Sequence, residues 1–281
     1  MSNCSHDCSS CSQSCGDRKD DAPKFDKPHE LSRIKRVIAV VSGKGGVGKS
    51  SVTSLLAATM NKKGYKCAIL DADITGASIP KMFGVSGELA GDQNGIYPAE
   101  TSKGIRIISS NLLLENETDP IVWRGPVIAG MVKQFWTDVI WGDVDYMFID
   151  CPPGTGDVPL TVFQSIKVDG IVIVTTPQEL VSMIVEKAVN MANLMKIPVL
   201  GIVENMSYVL CPHCNDKITL FGDGEATARV AQKFGLPLLA QIPYDKNLVQ
   251  AADSGKLDET TVDYANAAVD ILESGLPVSK H

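Results

Sequence analysis

Short apolar runs alternate with amphipathic stretches along most of the chain. Six runs have the composition of strands buried on both faces, at residues 37–41, 67–70, 146–150, 171–176, 199–204 and 238–243. Apolar residues recur at helical spacing in residues 50–63, 127–139, 179–195, 225–234 and 262–272. Alternating strands and helices predict an α/β fold with a doubly wound, mostly parallel sheet and right-handed crossovers.

Two segments depart from this alternation. Residues 91–110 contain the turn signals Asn94-Gly95 and Lys103-Gly104 between short β-prone pieces, which predicts a small hairpin insertion or an antiparallel addition at the sheet edge. Residues 207–224 are long for a strand-to-helix connection and carry a Cys-x-x-Cys pair. A long loop with such a pair is typical of a functional loop.

The first 30 residues differ in composition from the rest. They are rich in Ser, Asp, Lys and Cys and almost lack apolar side chains, so they cannot bury enough surface to offset the entropy lost on folding. We expect residues 1–30 to form a flexible, Cys-rich tail and residues 31–281 to form one folded domain. With 44% hydrophobic residues in 281, the chain can build a sizeable core.

Charge and hydropathy exclude some classes of function. The formal net charge is −7, whereas general nucleic-acid binders hold phosphates with clustered Lys and Arg. No apolar run approaches the ~18 to 20 residues that span a bilayer, and the N-terminus lacks the pattern of a signal peptide. We therefore expect a cytoplasmic protein that binds neither membranes nor nucleic acids.

A phosphate-binding loop follows the first predicted strand. Gly43, Gly48, Lys49 and Ser50 fit the pattern G-x-x-x-x-G-K-[ST] between a strand and a helix, which is the context this motif requires. Backbone N–H groups and the helix N-terminus cradle phosphates, Lys49 adds charge, and the Ser50 hydroxyl can bind Mg²⁺. We expect a nucleoside triphosphate to contact Gly43, Lys44, Gly45, Gly46, Val47, Gly48, Lys49, Ser50 and Ser51.

Acidic residues follow two other predicted strands. Hydrolysis of a nucleoside triphosphate needs a magnesium ion near the terminal phosphates and a group that orients the attacking water. Asp150, after an apolar strand, fits the magnesium role directly or through water, and Asp71 and Asp73 end another strand. Asp71 fits equally well as a structural strand-end carboxylate or helix cap.

Several motifs together resemble one family. The GKGGVGKS loop resembles the deviant phosphate loop of the MinD, ParA and nitrogenase iron protein group. Together with DADITGASIP, WRGP at 123–126, DCPPGTGD and VENMSY followed by CPHC, it makes the run from Arg36 to about Ser254 similar to the Mrp/ApbC family of iron-sulfur carrier ATPases. The resemblance implies a homodimer that binds a [4Fe-4S] cluster, delivers it to apo iron-sulfur proteins, and couples this to ATP binding or slow hydrolysis.

The resemblance also implies roles for individual residues. Lys44 would reach the phosphates of the partner subunit, and Asp73 would position the attacking water, so that Lys44, Lys49 and Asp73 form the catalytic set. Asn205 and Pro243, with Tyr244, would contact the adenine ring. From its chemistry alone Asn205 can offer a donor and an acceptor to a base, but it also fits a turn.

Cys211 and Cys214 form half of a four-thiolate site. In a reducing compartment, closely spaced cysteines are better explained as metal ligands or redox groups than as disulfides. A twofold axis would bring two copies of the pair together to complete a Cys4 site, which is the bridging cluster that the resemblance implies. Zinc is the main competitor because it uses the same spacing, with His213 able to join, and a redox dithiol is the third alternative.

The tail carries a second set of four thiols in the pattern C-x3-C-x2-C-x3-C. Cys4, Cys8, Cys11 and Cys15 could wrap a cluster without a partner chain and resemble the N-terminal cluster of eukaryotic cytosolic assembly ATPases, although their spacing is tighter. A labile cluster, zinc, or a tail without fixed metal are the alternatives.

Two other functions compete with cluster transfer. A positioning ATPase of the MinD or ParA kind would need a basic amphipathic C-terminal helix or a basic surface, whereas the C-terminal segment here is acidic through Asp263, Asp270 and Glu273. A zinc-stabilised P-loop regulator is compatible with the same motifs. The identity of the metal separates it from a cluster carrier.

Overall fold

The computed structural model describes residues 25–114, 125–178, 181–221 and 224–275. Cys4, Cys8, Cys11 and Cys15 lie outside these ranges, as do Trp123 and Arg124 of the WRGP run.

The described residues form a central sheet with helices on both faces. The strands are β1 Arg33–Ile34, β2 Val37–Ser42, β3 Cys67–Asp71, β4 Gly91–Asp92, β5 Gly95–Ile96, β6 Ala99–Glu100, β7 Arg106–Ile108, β8 Asp143–Val144, β9 Tyr146–Asp150, β10 Gly170–Thr175, β11 Val199–Asn205, β12 Val209–Leu210, β13 Lys217–Ile218 and β14 Leu238–Ile242. The helices are α1 Lys49–Lys62, α2 Ile79–Met82, α3 Gly125–Thr137, α4 Asp157–Ser165, α5 Val181–Leu194, α6 Ala226–Phe234, α7 Lys246–Asp253 and α8 Asn266–Gly275, with 3₁₀ turns at Ser110–Leu113 and Leu257–Glu259.

The strand order of the main sheet is β14-β11-β10-β2-β9-β3-β7-β6. Neighbouring strands run parallel except for the edge pair β6 and β7. Because parallel strands end at the same edge, the residues that follow β2, β3, β9, β11 and β14 meet there. The predicted α/β sheet is confirmed, and so is the antiparallel insertion, since β4 and β5 form a hairpin and β6 adds to the edge.

Alternate residues of the inner strands fill two separate cores. Ile38 and Val40 of β2 pack with residues of α1 and α8, whereas Ala39 and Val41 pack with residues of α3, α4 and α5. Because these strands are buried on both faces, their sequences are almost continuously apolar. The six runs can therefore be recognised although apolar and polar residues do not alternate in them.

Helices α4 and α7 are not predicted by the hydrophobic pattern. Helix α4 begins in a Pro- and Gly-rich stretch, and its Pro159 lies in the first turn, where proline costs no hydrogen bond. Helix α7 has no fully buried residue, so its apolar signal is weak, and it begins where the Asp245 side chain accepts a hydrogen bond from the Asn247 N–H.

Residues 25–30, which the composition assigns to the tail, contact the folded domain. The Asp26 N–H donates to the Ser165 carbonyl over 2.7 Å, and the Trp136 indole N–H donates to the Asp26 carbonyl over 2.9 Å. His29 Nε2 lies 2.8 Å from the Asn94 carbonyl oxygen. The domain therefore includes residues N-terminal to position 31.

Candidate nucleotide site and cysteine hairpin

The phosphate loop joins β2 to α1 at the carboxyl edge of the sheet. Gly46 and Gly48 have φ values of +78° and +76°, a conformation that residues with a side chain rarely adopt. Helix α1 begins at Lys49, so its unpaired N–H groups face the loop. A cavity of about 220 Å³ lies here, lined by the loop from Lys44 to Ser51 together with Ser42, Asp73, Ser78, Met82 and Pro153. A cavity at a helix N-terminus with backbone donors is suited to phosphate groups.

Asp150 lies at the centre of a polar network below this cavity. Lys49 Nζ lies 2.8 Å from Asp150 Oδ2, and the Ser50 hydroxyl donates to the same oxygen over 2.5 Å. The Thr53 hydroxyl, one turn further along α1, donates to Asp150 Oδ1 over 2.8 Å. The structure therefore brings together three residues that the sequence placed in one site, and Thr53 joins them.

Asp71 and Asp73 occupy different environments. Asp71 is fully buried, pairs in register with Asp150 on β9, and accepts a hydrogen bond from the Ser109 hydroxyl over 2.9 Å. Burial raises the pKa of Asp71, and the nearby charge of Asp150 adds to the shift. Asp73 lines the cavity 3.6 Å from Lys49 Nζ. Burial also raises the pKa of Asp73, while Lys49 opposes the shift.

Lys44 lines the cavity and is held by a residue distant in sequence. Its ammonium group donates to Gln178 Oε1, just beyond the end of β10, and the Ser42 hydroxyl donates to the Lys44 carbonyl over 3.0 Å. Within the described residues, Lys44 thus contacts a neutral amide rather than a carboxylate. Its charge is available to a phosphate.

A second, smaller cavity adjoins the phosphate loop. It measures about 70 Å³, shares Ser51 with the first cavity, and is lined by Asn205, Met206, Pro243, Tyr244, Asp245 and four residues of α7 and the turn after it. The Asn205 side-chain N–H donates to the Val47 carbonyl over 2.9 Å. Asn205 therefore braces the phosphate loop, and its amide oxygen and second N–H remain available to a base. The adenine roles of Asn205 and Pro243 remain predictions.

Cys211 and Cys214 lie at the tip of a two-stranded hairpin. Strands β12 and β13 pair antiparallel, the Cys211 N–H donates to the Asp216 carbonyl over 2.9 Å, and Asn215 adopts a left-handed φ of +59° in the turn. The N–H groups of His213 and Cys214 point at the Cys211 sulfur and, together with the Cys214 side chain, lower the pKa of its thiol. Such a turn favours a thiolate that can bind a metal.

The hairpin exposes its thiols and several apolar side chains. Cys214 is exposed and Cys211 is half-buried, and Leu210, Ile218 and Leu220 are among the large apolar residues that face solvent. No group of three or more Cys, His, Asp or Glu side chains in the described part of the chain could hold a metal ion. One copy of the described domain thus offers only two of the four ligands of a tetrahedral thiolate site.

The oxygen atoms around the phosphate loop suit a magnesium ion. The Ser50 hydroxyl and the Asp150 carboxylate lie within hydrogen-bond distance of each other, and both are hard oxygen ligands of the kind that Mg²⁺ prefers. When bound with ATP, magnesium would neutralise charge on the terminal phosphates. The magnesium roles of Ser50 and of Asp150, the latter directly or through water, remain predictions.

Two residues of the site were not predicted from the sequence. Thr53 lies three residues after Ser50, so helical periodicity could have indicated that both face Asp150. Gln178 is 134 residues from Lys44 and carries no local motif, and only the pairing of β10 with β2 brings the two together.

Comparisons with known proteins identify the family of this chain. The sequence profile of a ParA-type family described as NUBPL iron-transfer P-loop NTPase matches residues 33–274. The iron-sulfur cluster carrier protein of Clostridium perfringens is 47% identical over 80% of this chain and 82% of its own. The iron-sulfur cluster carrier protein of Methanocaldococcus jannaschii is 44% identical over 91% of this chain and 90% of its own.

Solved structures show the same fold. A nucleotide-binding protein from Archaeoglobus fulgidus in complex with ADP is 44% identical, with a TM-score of 0.75 over 88% of this chain and 94% of that chain. The septum site-determining protein MinD from Pyrococcus horikoshii, complexed with Mg-ADP, is 21% identical with a TM-score of 0.56 over 85% of this chain and 94% of that chain, which supports the fold alone.

None of the helices in the described ranges combines the length and apolarity needed to cross a membrane.

The predicted family resemblance is confirmed by a profile match over most of the chain and by relatives more than 40% identical. This chain belongs to the NUBPL iron-transfer P-loop NTPase family.

Proposed function

We propose that this chain is an ATP-dependent iron-sulfur cluster carrier whose two copies hold one [4Fe-4S] cluster between their cysteine hairpins and pass it to apo iron-sulfur proteins. The observation that carries the proposal is the hairpin itself. It presents two thiols, one with a lowered pKa, whereas a cubane cluster takes four thiolates. The names of two relatives that are 47% and 44% identical, both iron-sulfur cluster carrier proteins, support cluster transfer as the activity.

The surface around the thiols supports pairing with a second copy. Leu210 and Ile218 of the two strands and Leu220 and Phe221 beyond them are exposed apolar side chains next to the cysteines. Burial of these residues against the same hairpin of another copy would remove apolar surface from water, and a twofold axis would bring both Cys-x-x-Cys pairs together.

ATP binding and slow hydrolysis form the second part of the proposal. Lys49 and the loop N–H groups would hold the phosphates, Ser50 and Asp150 would hold magnesium, and Asp73 at the cavity wall would orient the attacking water. Lys44 would add charge at the phosphates of the partner subunit. Hydrolysis would be linked to loading or release of the cluster.

Anaerobic reconstitution with ferrous iron and sulfide tests the cluster site. A chain in which Cys4, Cys8, Cys11 and Cys15 are all replaced by Ser isolates the hairpin from the tail. We expect this chain to be a dimer with one cluster for every two copies, and Cys211→Ser plus Cys214→Ser to abolish both iron binding and visible absorption. Cys67→Ala is the matched control, because Cys67 is buried in β3 and cannot serve as a ligand of the hairpin cluster.

The outcomes separate the alternatives. Unchanged iron and sulfide content in the hairpin double variant would refute the cluster site. Stoichiometric zinc in the anaerobically purified chain, with no cluster after reconstitution, would favour the zinc-stabilised regulator, since a tetrahedral zinc accepts the same four thiolates.

A further inference from the structure

The segment from Glu204, at the end of β11, to the start of the hairpin contacts both functional sites. Asn205, the last residue of β11, donates to the Val47 carbonyl in the phosphate loop, and Ser207 lies two residues later, just before the hairpin strand β12. A side chain on Gly48 would overlap Asn205 Nδ2, so glycine is needed for this close approach. Position 205 is thus fixed against the nucleotide site, and residues 206–208 lead directly to the cysteines.

Glu204 is a buried carboxylate in this segment. Its Oε1 atom accepts hydrogen bonds from the Ser207 hydroxyl over 2.5 Å and from the Gln241 side-chain N–H over 2.9 Å. Within the described residues, the other oxygen, Oε2, is buried and has no hydrogen-bond partner. Burial of a carboxylate with one oxygen unpaired costs free energy, so the packing of the fold alone does not account for an acid at this position.

Two further contacts tie the start of the hairpin to the smaller cavity. The Ser207 N–H donates to the Ile242 carbonyl over 2.9 Å, and the Tyr244 N–H donates to the Tyr208 carbonyl over 2.8 Å. Met206, between the two sites, has a left-handed φ of +53°, which is strained for a residue with a side chain. Its side chain lines the cavity with Tyr244. The two residues after Met206 are therefore hydrogen-bonded to β14 and to the 243–244 loop.

We propose that Glu204 is a positioning residue that couples the nucleotide site to the cysteine hairpin. One carboxylate oxygen holds Ser207 at the start of the hairpin and Gln241 on β14, two residues before Pro243. A nucleotide that shifts Asn205 or the 243–244 loop would thereby shift the hairpin. The role of the hairpin as a cluster ligand rests on the proposed function, whereas the coupling itself is testable without a cluster.

Alkylation of the hairpin thiols in the metal-free chain tests the coupling. The rates at Cys211 and Cys214 are measured by peptide mass spectrometry with and without a non-hydrolysable ATP analogue. We expect the analogue to change these rates at least about fivefold in the wild-type chain, the lower end of typical coupling between sites. In Glu204→Ala the change should fall below about twofold, with affinity for the analogue nearly unchanged because the Asn205 contact to Val47 is intact.

Two variants control for a merely structural effect. Glu204→Gln keeps an oxygen that can accept both hydrogen bonds, and it should restore most of the nucleotide effect. Ser32→Ala removes a buried hydroxyl that donates to the Val139 carbonyl and accepts from the Trp141 N–H. Because Ser32 lies near β1 and β8, this variant should leave the nucleotide effect unchanged. If Glu204→Ala does not fold, Ser207→Ala removes the hydroxyl that donates to Glu204. It should give the same loss of the nucleotide effect.

The result that overturns the coupling is a nucleotide effect of equal size in the wild type, Glu204→Ala and Ser207→Ala, or no effect in the wild type. Failure of the proposed function has a different signature. In that case the reconstituted chain holds no hairpin cluster, whatever the alkylation rates show.

Discussion

Lys49 and Asp150 form an ion pair in which the solvent reaches only 5% and 0% of the two side chains, with Nζ 2.8 Å from Oδ2. Burial alone would lower the pKa of Lys49, but the charge of Asp150 and the hydrogen bond to it raise the pKa above the usual value. The first two turns of α1 are thus organised around one carboxylate, which also accepts hydrogen bonds from Ser50 and Thr53.

Asp150→Ala should lower the free energy of unfolding by about 3–5 kcal/mol, because it leaves the Lys49 charge buried without its main partner. Ser50→Ala removes one hydrogen bond to the same carboxylate and should cost only about 1 kcal/mol. Urea denaturation of the nucleotide-free chain measures both changes. Equal costs for the two substitutions would contradict the importance of the ion pair.

Gly48→Ala should destabilise the chain more than Gly46→Ala and weaken its nucleotide site. Both glycines have a positive φ near +77°, so both substitutions carry a strain of about 1–2 kcal/mol. A Cβ at Gly46 meets no atom within 4 Å, whereas one at Gly48 would overlap the Asn205 side chain and displace its bond to Val47.

Denaturation measures the loss of stability, and titration with ADP measures the loss of nucleotide binding. We expect Gly48→Ala to lose about 1 kcal/mol more stability than Gly46→Ala, the worth of a typical hydrogen bond, and to bind ADP more weakly. Indistinguishable stabilities would show that Asn205 can move away freely.

The apolar strands and the phosphate loop were predictable because their signals are local. A buried parallel strand is apolar along its whole length, and Gly43 to Ser50 carry the loop chemistry within eight residues. The pair of Cys211 and Cys214 is a local signal of the same kind, and its role as half of a metal site stays a prediction. Long-range pairs were not, because contacts such as Lys44 with Gln178 or Ser109 with Asp71 depend on the order of strands in the sheet.

Helix α7 and the strained turn at Met206 show two other limits of sequence patterns. An exposed helix has too few buried positions to produce a strong apolar period. A left-handed methionine has no sequence signature, since this conformation is usually adopted by Gly or Asn. The sequence places the cysteine loop directly after Asn205, whereas the contact of Glu204 with Gln241 depends on the pairing of β11 with β14.

Asp71→Asn should stabilise the nucleotide-free chain at alkaline pH but not in acid. Burial raises the pKa of Asp71 from 3.8 to about 8, so the folded state binds a proton more tightly than the unfolded state. Stability consequently falls as the pH rises between these two values, and the asparagine variant avoids this loss. We expect a gain of several kcal/mol above about pH 8, because each unit of pKa shift corresponds to about 1.4 kcal/mol, and none near pH 4, measured by denaturation across this range.

Asp145→Asn is the matched control, with the opposite sign. Burial opposes the shift, but hydrogen bonds from Lys35 and from the Lys66 N–H lower the pKa of Asp145. Its contribution to stability is therefore present above pH 3.8 and is lost as the pH falls through the lowered pKa. This variant should be less stable than the wild type at neutral pH and converge with it in strong acid. A gain at alkaline pH in both variants would mean that net charge, rather than burial of Asp71, sets the pH dependence.

Cys211 should react with an alkylating reagent at lower pH than an unstructured cysteine does. The thiolate is the reactive form, and the N–H groups of His213 and Cys214 stabilise it at Cys211. Peptide-resolved alkylation across pH, in the metal-free chain, should give a midpoint for Cys211 that moves upward in urea, where the turn is lost. Cys151 is the internal control, because burial raises its pKa to about 12 and hides it from the reagent until the chain unfolds. If the midpoint for Cys211 is the same in the folded and the unfolded chain, the turn does not activate the thiol. The N–H groups of the turn would then give the hairpin no electrostatic preference for a metal.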